Sequence, residues 1–269
     1  MQPEEKYTFC VGALRDFVHA AGFSDVVLGL SGGMDSSLAA LMCVDAFGAD
    51  HTHGALLPGP YSSESSVADA LALAANLGMA THTISIEEPF AAFAGVLAGA
   101  CGGELTGLAA ENTQARCRMV CLMALSNTHG WLLVNTSNKS EAMMGYSTLY
   151  GDTAGAFAPL GGLYKTEVYA VARWCNGSAQ RRGQTPPIPE NVFTKPPSAE
   201  LAPGQEDEKS LGIDYPTLDA LLSALLDQEK SPQELIAAGY SPAQLARITA
   251  TMQATAYKRV LAPPYPALH

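Results

Sequence analysis

Positive charge is scarce in this sequence: Lys and Arg number 15 against 26 Asp and Glu, giving a formal net charge of −11. Affinity for a nucleic-acid backbone comes mainly from basic side chains that neutralise phosphates, so this balance argues against RNA- or DNA-tracking functions. Long apolar runs are missing as well. No stretch approaches the roughly twenty uninterrupted apolar residues of a spanning helix, and the opening MQPEEKYTFC is acidic where a signal peptide is basic. A cytoplasmic protein without membrane association is expected. The six cysteines, Cys10, Cys43, Cys101, Cys117, Cys121 and Cys175, include no C-x-x-C pair, and enzyme-sized cytosolic chains seldom use disulfides. Packing roles are expected for most of them, including Cys117 and Cys121, since two thiols without a His cluster make a poor metal site. Also absent is the pattern G-x-x-x-x-G-K-S/T, the usual signature of γ-phosphoryl transfer. Apolar residues, in contrast, are plentiful. At 48% hydrophobic over 269 residues, the chain can bury the core of one large α/β domain or two small ones.

Helical spacing of apolar residues over 4–21 is followed by a short buried strand at 25–30 that runs into glycines. Strands at 53–57, 80–86 and 131–135 then alternate with helices at 35–47, 64–77 and 108–128. Parallel strands need crossover helices, so the alternation predicts an α/β fold: a doubly wound parallel sheet flanked by helices, with a C-terminal helical segment. Residues 1–269 read as one domain, with a nucleotide-binding core over 4–176, a flexible lid loop over 177–212, and helices over 213–269 that begin near Pro232 and Pro242. Ligands of such sheets bind beyond the C-terminal strand ends. Three of these strands end at informative segments: Leu30 before Ser31-Gly32-Gly33-Met34-Asp35-Ser36, Leu57 before Pro58-Gly59-Pro60-Tyr61, and Asn135 before Thr136-Ser137-Asn138-Lys139-Ser140-Glu141.

The segment from Ser31 to Ser36 lies between a buried strand and an amphipathic helix, where a phosphate-binding loop has to sit. Gly32 and Gly33 let backbone amides approach phosphate oxygens, and the helix N-terminus adds partial positive charge. A carboxylate beside phosphates is repulsive unless a cation bridges them, so Asp35 implies Mg²⁺. The loop resembles the S-G-G-x-D-S motif of the PP-loop ATP pyrophosphatases, which grip the β and γ phosphates of ATP and leave the α-phosphorus open to attack. Further segments are similar to the NAD synthetase family within that superfamily. They are Asn112-Thr113-Gln114-Ala115-Arg116-Cys117-Arg118-Met119, Asn138 to Glu141, Gly145 to Asp152, Leu163 to Val168, Lys195 to Leu201, Asp207 to Tyr215, and Tyr257-Lys258-Arg259.

The resemblance implies an adenine nucleotide α-hydrolase-like fold and amidation of deamido-NAD to NAD. The nicotinate carboxylate attacks the α-phosphorus of ATP, pyrophosphate leaves, and ammonia displaces AMP from the acyl-adenylate. It further implies that Asp35 and Glu141 hold Mg²⁺. Ser31, Gly32, Gly33, Asp35, Ser36, Thr136, Lys165 and Ser198 are implied to contact ATP, and Asn112, Arg116, Arg118, Tyr257 and Lys258 to contact deamido-NAD. Asp152 and Lys165 are the implied catalytic residues, Asp152 beside the ammonia. A homodimer is implied too. The chain departs from the family pattern twice: Leu57-Pro58-Gly59-Pro60-Tyr61 lacks the arginine many members carry after the second strand, and Tyr257 stands where many stand-alone members have His. No Cys-based glutaminase pattern is visible, so free ammonia is the expected donor. The wording of several motifs is nonetheless closer to the synthetase half of glutamine-dependent members, which keeps a separate glutaminase partner in play. The alternatives are another PP-loop synthetase such as a GMP synthetase-like enzyme, and a nucleotide-binding protein without turnover.

Overall fold

The computed structural model describes residues 1–260. Along the chain run α1 (Pro3–Ala20), β1 (Val26–Gly29), α2 (Met34–Phe47), β2 (Thr52–Leu56), α3 (Glu64–Leu77), β3 (Ala80–Thr83), α4 (Glu87–Cys101), α5 (Gly107–His129) and β4 (Leu132–Leu133). There follow α6 (Lys139–Met144), α7 (Lys165–Arg181), α8 (Glu190–Thr194), α9 (Asp207–Leu211), α10 (Tyr215–Leu226), α11 (Pro232–Ala237) and α12 (Pro242–Ala254). The four strands form a parallel sheet in the order β3-β2-β1-β4, with Val26 registered against both Thr52 and Leu132.

Successive strand residues point to opposite faces, and each face has its own helical cover. Val26, Leu28 and Leu56 join a core with α1, α2, α3 and α7, where Leu14, Leu38, Leu73 and Val168 are fully buried. Ala55 and Leu57 turn the other way, onto Ile86 and onto Cys117, Cys121 and Leu122 of α5. A separate cluster centred on Leu218, Leu221, Leu222 and Ile248 unites α6 with the C-terminal helices. Ser63, Asp214, Ser231 and Ser241 cap α3, α10, α11 and α12 through their side chains, so the serine-proline signals at 231 and 241 mark real helix starts.

Two expectations change. The segment 177–212 is not a loop throughout: α7 continues to Arg181, and α8 and α9 form within it. Its Pro- and Gly-rich composition conceals sparse apolar anchors, Ile188, Val192, Phe193 and Leu201, all of which are buried. Asn176 then ties the backbone of Ile188 in both directions, at 2.7 and 3.1 Å. The second change is α4, for which no helix is expected from the sequence. Its run of Ala, Gly, Phe and Val has no polar face to set a helical period, and none of its residues is buried.

Candidate functional site

The site lies beyond the C-terminal ends of β1, β2 and β4, as expected for an open parallel sheet. Leu30 makes one further ladder bond to Ala55, and the chain then turns at Gly32, whose φ is +74°. A Cβ there would stand 2.0 Å from the Ser66 carbonyl oxygen, so the loop sits directly on the first turn of α3. Gly33 N-caps α2 in extended conformation. Within the loop the Ser36 and Ser37 hydroxyls donate to the Gly33 carbonyl at 3.1 and 2.7 Å, and the Ser31 and Ser36 hydroxyls lie 3.0 Å apart. These contacts fix the backbone curvature that aims amides into the space in front.

Facing this loop is a buried charge centre assembled from three distant segments. Lys165 opens α7 and places Nζ against Asp35 and, at 3.1 Å, against Glu141. The Lys165 side chain is only 4% exposed. Burial alone would lower its pKa, but Asp35 and Glu141 outweigh it and hold the ammonium form well above the ordinary range. Burial lifts the Glu141 carboxyl, with Lys165 opposing and Asp35 adding to the rise. Asn138 organises the pair: it caps α6 by accepting from the Glu141 amide at 3.0 Å and donates to Asp35 at 2.9 Å. Behind them Asp219 of α10 accepts from the Ser140 hydroxyl and, at 2.8 Å, from the Thr166 amide, clamping the start of α6 to the start of α7. Asp35 therefore is not a free loop carboxylate; it belongs to the first turn of α2 and is held by two partners.

Asp35 and Glu141 converge on the Lys165 ammonium, and as two hard oxygen donors they also suit Mg²⁺, an ion that takes one or two carboxylates and completes its shell with waters and substrate phosphates. Asp35 and Glu141 would hold it. Such an ion supplies charge neutralisation at a departing polyphosphate.

Across the same cavity, of about 310 Å³, are Thr136, Asp152, Ser198 and Arg118. Asp152 accepts from the Thr148 amide at 2.7 Å. Burial pushes its carboxyl up to about 6, exceeding the opposing effects of that hydrogen bond and of Lys258, Arg118 and Arg116. Ser198 donates to the Gln205 carbonyl at 2.6 Å, shaping the segment that leads to Glu200 and Leu201. Glu200 accepts from the Ser63 and Ser66 hydroxyls, both at 2.8 Å, and Lys195 reaches Asp69 at 3.0 Å, so 195–201 is strapped to the beginning of α3.

Among the sequence-predicted residues, Ser31, Gly33, Asp35, Ser36, Thr136, Glu141, Asp152, Lys165 and Ser198 line one cavity, whereas Gly32 does not line it and lies against the Ser66 backbone. Asn112, Arg116, Tyr257 and Lys258 do not line it. Asn112 accepts from Thr148 at 2.6 Å, Arg116 donates to the Leu149 carbonyl at 3.3 Å, and Lys258 donates to the Gly145 and Ser147 carbonyls at 2.8 and 2.7 Å. Asn112, Arg116 and Lys258 thus gather around the 145–152 turn, and Tyr257, next to Lys258 in sequence, is 60% exposed. Arg118, grouped with them by motif, faces the cavity instead. Sequence reasoning missed the roles of Asn138, Lys195, Glu200 and Asp219. The first three lie in noticed motifs, whereas Asp219 sits in an ordinary helical stretch and carries no local signal.

A model of the NAD synthase family matches residues 7–262. A glutamine-dependent NAD(+) synthetase of Synechocystis sp. is 46% identical over 97% of this chain and 46% of that protein. The chain spans about half the length of the curated relatives it matches. Among solved structures, an NMN synthetase from Francisella tularensis superposes with TM-score 0.81 at 31% identity, covering 98% of this chain and 99% of the other. An NH3-dependent NAD synthetase from Campylobacter jejuni gives 0.77 at 30% identity, covering 99% and 100%. With the glycine loop, the Lys165 centre and the motif order all in place, this chain belongs to the NAD synthase family of PP-loop proteins.

Proposed function

We propose that this chain uses ATP to convert the nicotinate carboxylate of deamido-NAD into the amide of NAD, with ammonia as the immediate nitrogen donor. The observation that carries this reading is the Lys165–Asp35–Glu141 centre in front of the glycine loop. It concentrates charge control where a pyrophosphate leaving group departs, an apparatus that a mere nucleotide binder does not need. A carboxylate oxygen of the substrate attacks the α-phosphorus and the bond to pyrophosphate breaks. Loop amides and the Lys165 ammonium receive the departing charge. Ammonia then attacks the acyl carbon, the bond from that carbon to the AMP oxygen breaks with its electron pair leaving on AMP, and Asp152 accepts the surplus proton. The strap from Lys195 to Leu201 shields the adenylate from water.

The decisive assay combines ATP, Mg²⁺, deamido-NAD and ammonium, with chromatography of the products. NAD, AMP and pyrophosphate are expected in equal amounts; ADP and phosphate as the nucleotide products would overturn the mechanism. A mononucleotide acid in place of deamido-NAD tests the reading suggested by likeness to an NMN synthetase. Glutamine as sole donor is expected to give no turnover with the purified chain. Burial pushes the thiols of Cys43 and Cys175 up to about 12 and raises those of Cys10, Cys117 and Cys121, leaving those five poor nucleophiles. Turnover restored by an added protein fraction would identify a glutaminase that feeds ammonia in trans, the arrangement suggested by relatives named as glutamine-dependent.

Asp152 sets a pH limb. With its carboxyl at about 6, the anion that holds ammonium and takes a proton is lost as pH falls through that value. The expected profile of kcat/KM for ammonium therefore declines below about pH 6 by up to tenfold per unit, and Asp152→Asn lowers the plateau while removing the limb. A limb that survives in Asp152→Asn would refute the assignment.

A homodimer across α4 and α5 completes the proposal. Val96 of α4 is 77% exposed, Leu108 and Val120 of α5 are 72% and 58% exposed, and Phe93 adds to the same apolar pair of helices. Arg116 and Asn112 lie on α5 as well. Light scattering should return twice the chain mass, and Val96→Glu with Val120→Glu should shift it towards one; a monomeric mass from an active preparation counts against the interface.

A further inference from the structure

Three cations line the nucleotide cavity, and two of them are paired with carboxylates. Lys165 is paired with Asp35 and Glu141, and Lys195 lies 3.0 Å from Asp69. Arg118 has no carboxylate within 4.0 Å among the described residues. Its Nε donates to the Leu57 carbonyl at 2.9 Å and its Nη2 to the Ser62 hydroxyl at 3.4 Å, leaving the greater part of the guanidinium fork open. The cavity wall otherwise carries the carboxylates of Asp35, Glu141, Asp152, Glu200 and Asp207. A polyphosphate entering such a space meets, besides the paired Lys165, one cation that no carboxylate pairs.

The backbone is built around that group. The exit of β2, Pro58-Gly59-Pro60, offers no charged side chain, and the Gly59 amide is already bonded to Ser62 at 3.0 Å. A Cβ on Gly59 would stand 2.9 Å from Arg118 Nη2, so the missing side chain is the room in which the guanidinium lies. Residues two apart on a helix point to opposite sides, which separates Arg118 from Arg116. The latter points at Leu149, outside the cavity.

On the basis of the proposed ATP chemistry, we infer that Arg118, reaching from α5 across the end of β2, receives a phosphate of the nucleotide in this cavity and does not contact the dinucleotide substrate. Guanidinium groups bind phosphate oxygens through paired, charge-assisted hydrogen bonds, and a desolvated wall strengthens them.

Calorimetric titration of the full chain with MgATP, adenosine and deamido-NAD, each alone, tests the assignment. Arg118→Met is expected to weaken MgATP binding by about ten- to a hundredfold, with adenosine and deamido-NAD affinities unchanged. Arg118→Lys should recover part of the loss, since it keeps charge without the fork. MgATP affinity within about twofold of wild type in Arg118→Met, or a loss that falls on deamido-NAD or equally on adenosine, overturns the inference. If Arg118→Met does not fold, Arg118→Gln, polar but uncharged, carries the same test, and MgATP affinity within about twofold of wild type there is equally fatal. A wild-type chain that binds no MgATP would instead overturn the proposed function itself, an outcome distinguishable from these.

Discussion

Replacing Lys165 by Met should reduce pyrophosphate release by about a thousandfold or more, the scale on which preorganised charge at a developing anion acts. The same change should also destabilise the fold. Lys165 is buried with Asp35 and Glu141 as its partners, and removing one member of a buried charge cluster leaves uncompensated charge, typically costing about 3–5 kcal/mol. In a domain of this size each kcal/mol lowers the melting temperature by about 2–4 °C, so a drop on the order of 10 °C is expected. ATP–pyrophosphate exchange in the presence of deamido-NAD, without ammonia, isolates the adenylation step, and calorimetry gives the melting point. Near-wild-type exchange in a folded variant would show that Lys165 only neutralises its two acidic neighbours. Asp35→Asn should be milder in stability, because Lys165 keeps Glu141 and the amide can still meet Asn138, yet comparably damaging to exchange if Asp35 holds the metal.

The second large effect belongs to Gly32→Ala. A left-handed φ of +74° costs an L-residue roughly 1–2 kcal/mol, and the new methyl would sit 2.0 Å from the Ser66 carbonyl oxygen. That contact is with backbone at the start of α3, which cannot rotate aside as a side chain could, and overpacking of this kind adds about 1–3 kcal/mol. The loop must lift off α3, carrying its amides out of register with any phosphate, so a loss of more than about a hundredfold in pyrophosphate release is expected. Gly33→Ala is the comparison: its backbone is extended and its Cβ would meet only the Ser31 hydroxyl at 3.2 Å. Gly33→Ala should melt well above Gly32→Ala. Equal melting points for the two would show that neither the handedness nor the α3 contact constrains the loop.

What the sequence determined by itself was whatever a local period or a tight motif encodes. The helix of 64–77 follows from the helical spacing of its apolar residues, because one face must be buried, and the first strand from a short continuous apolar run ending at glycines, as suits a strand covered on both faces. The step from Leu30 through two glycines into a helix start is the local pattern a phosphate-binding loop requires, so the proposed loop could be located without the fold. The helix α4 was illegible for the converse reason: with none of its residues buried, no core had imposed a stripe on it. The apolar anchors of 177–212 were too widely spaced to register against the prolines.

Only the tertiary structure decided which charges meet. Lys165 and Asp35 are 130 positions apart, Asn138 and Asp35 are 103, and Glu200 and Ser63 are 137. Nothing in a local pattern sets such pairings, because they depend on how far each strand end and helix start project beyond the sheet. The same holds for Arg116 and Arg118, two positions apart in one motif and alike by composition. The turn of α5 sends one to the surface of the 145–152 segment and the other over Gly59 into the cavity in front of the glycine loop, because a helix separates neighbours two apart by more than half a turn.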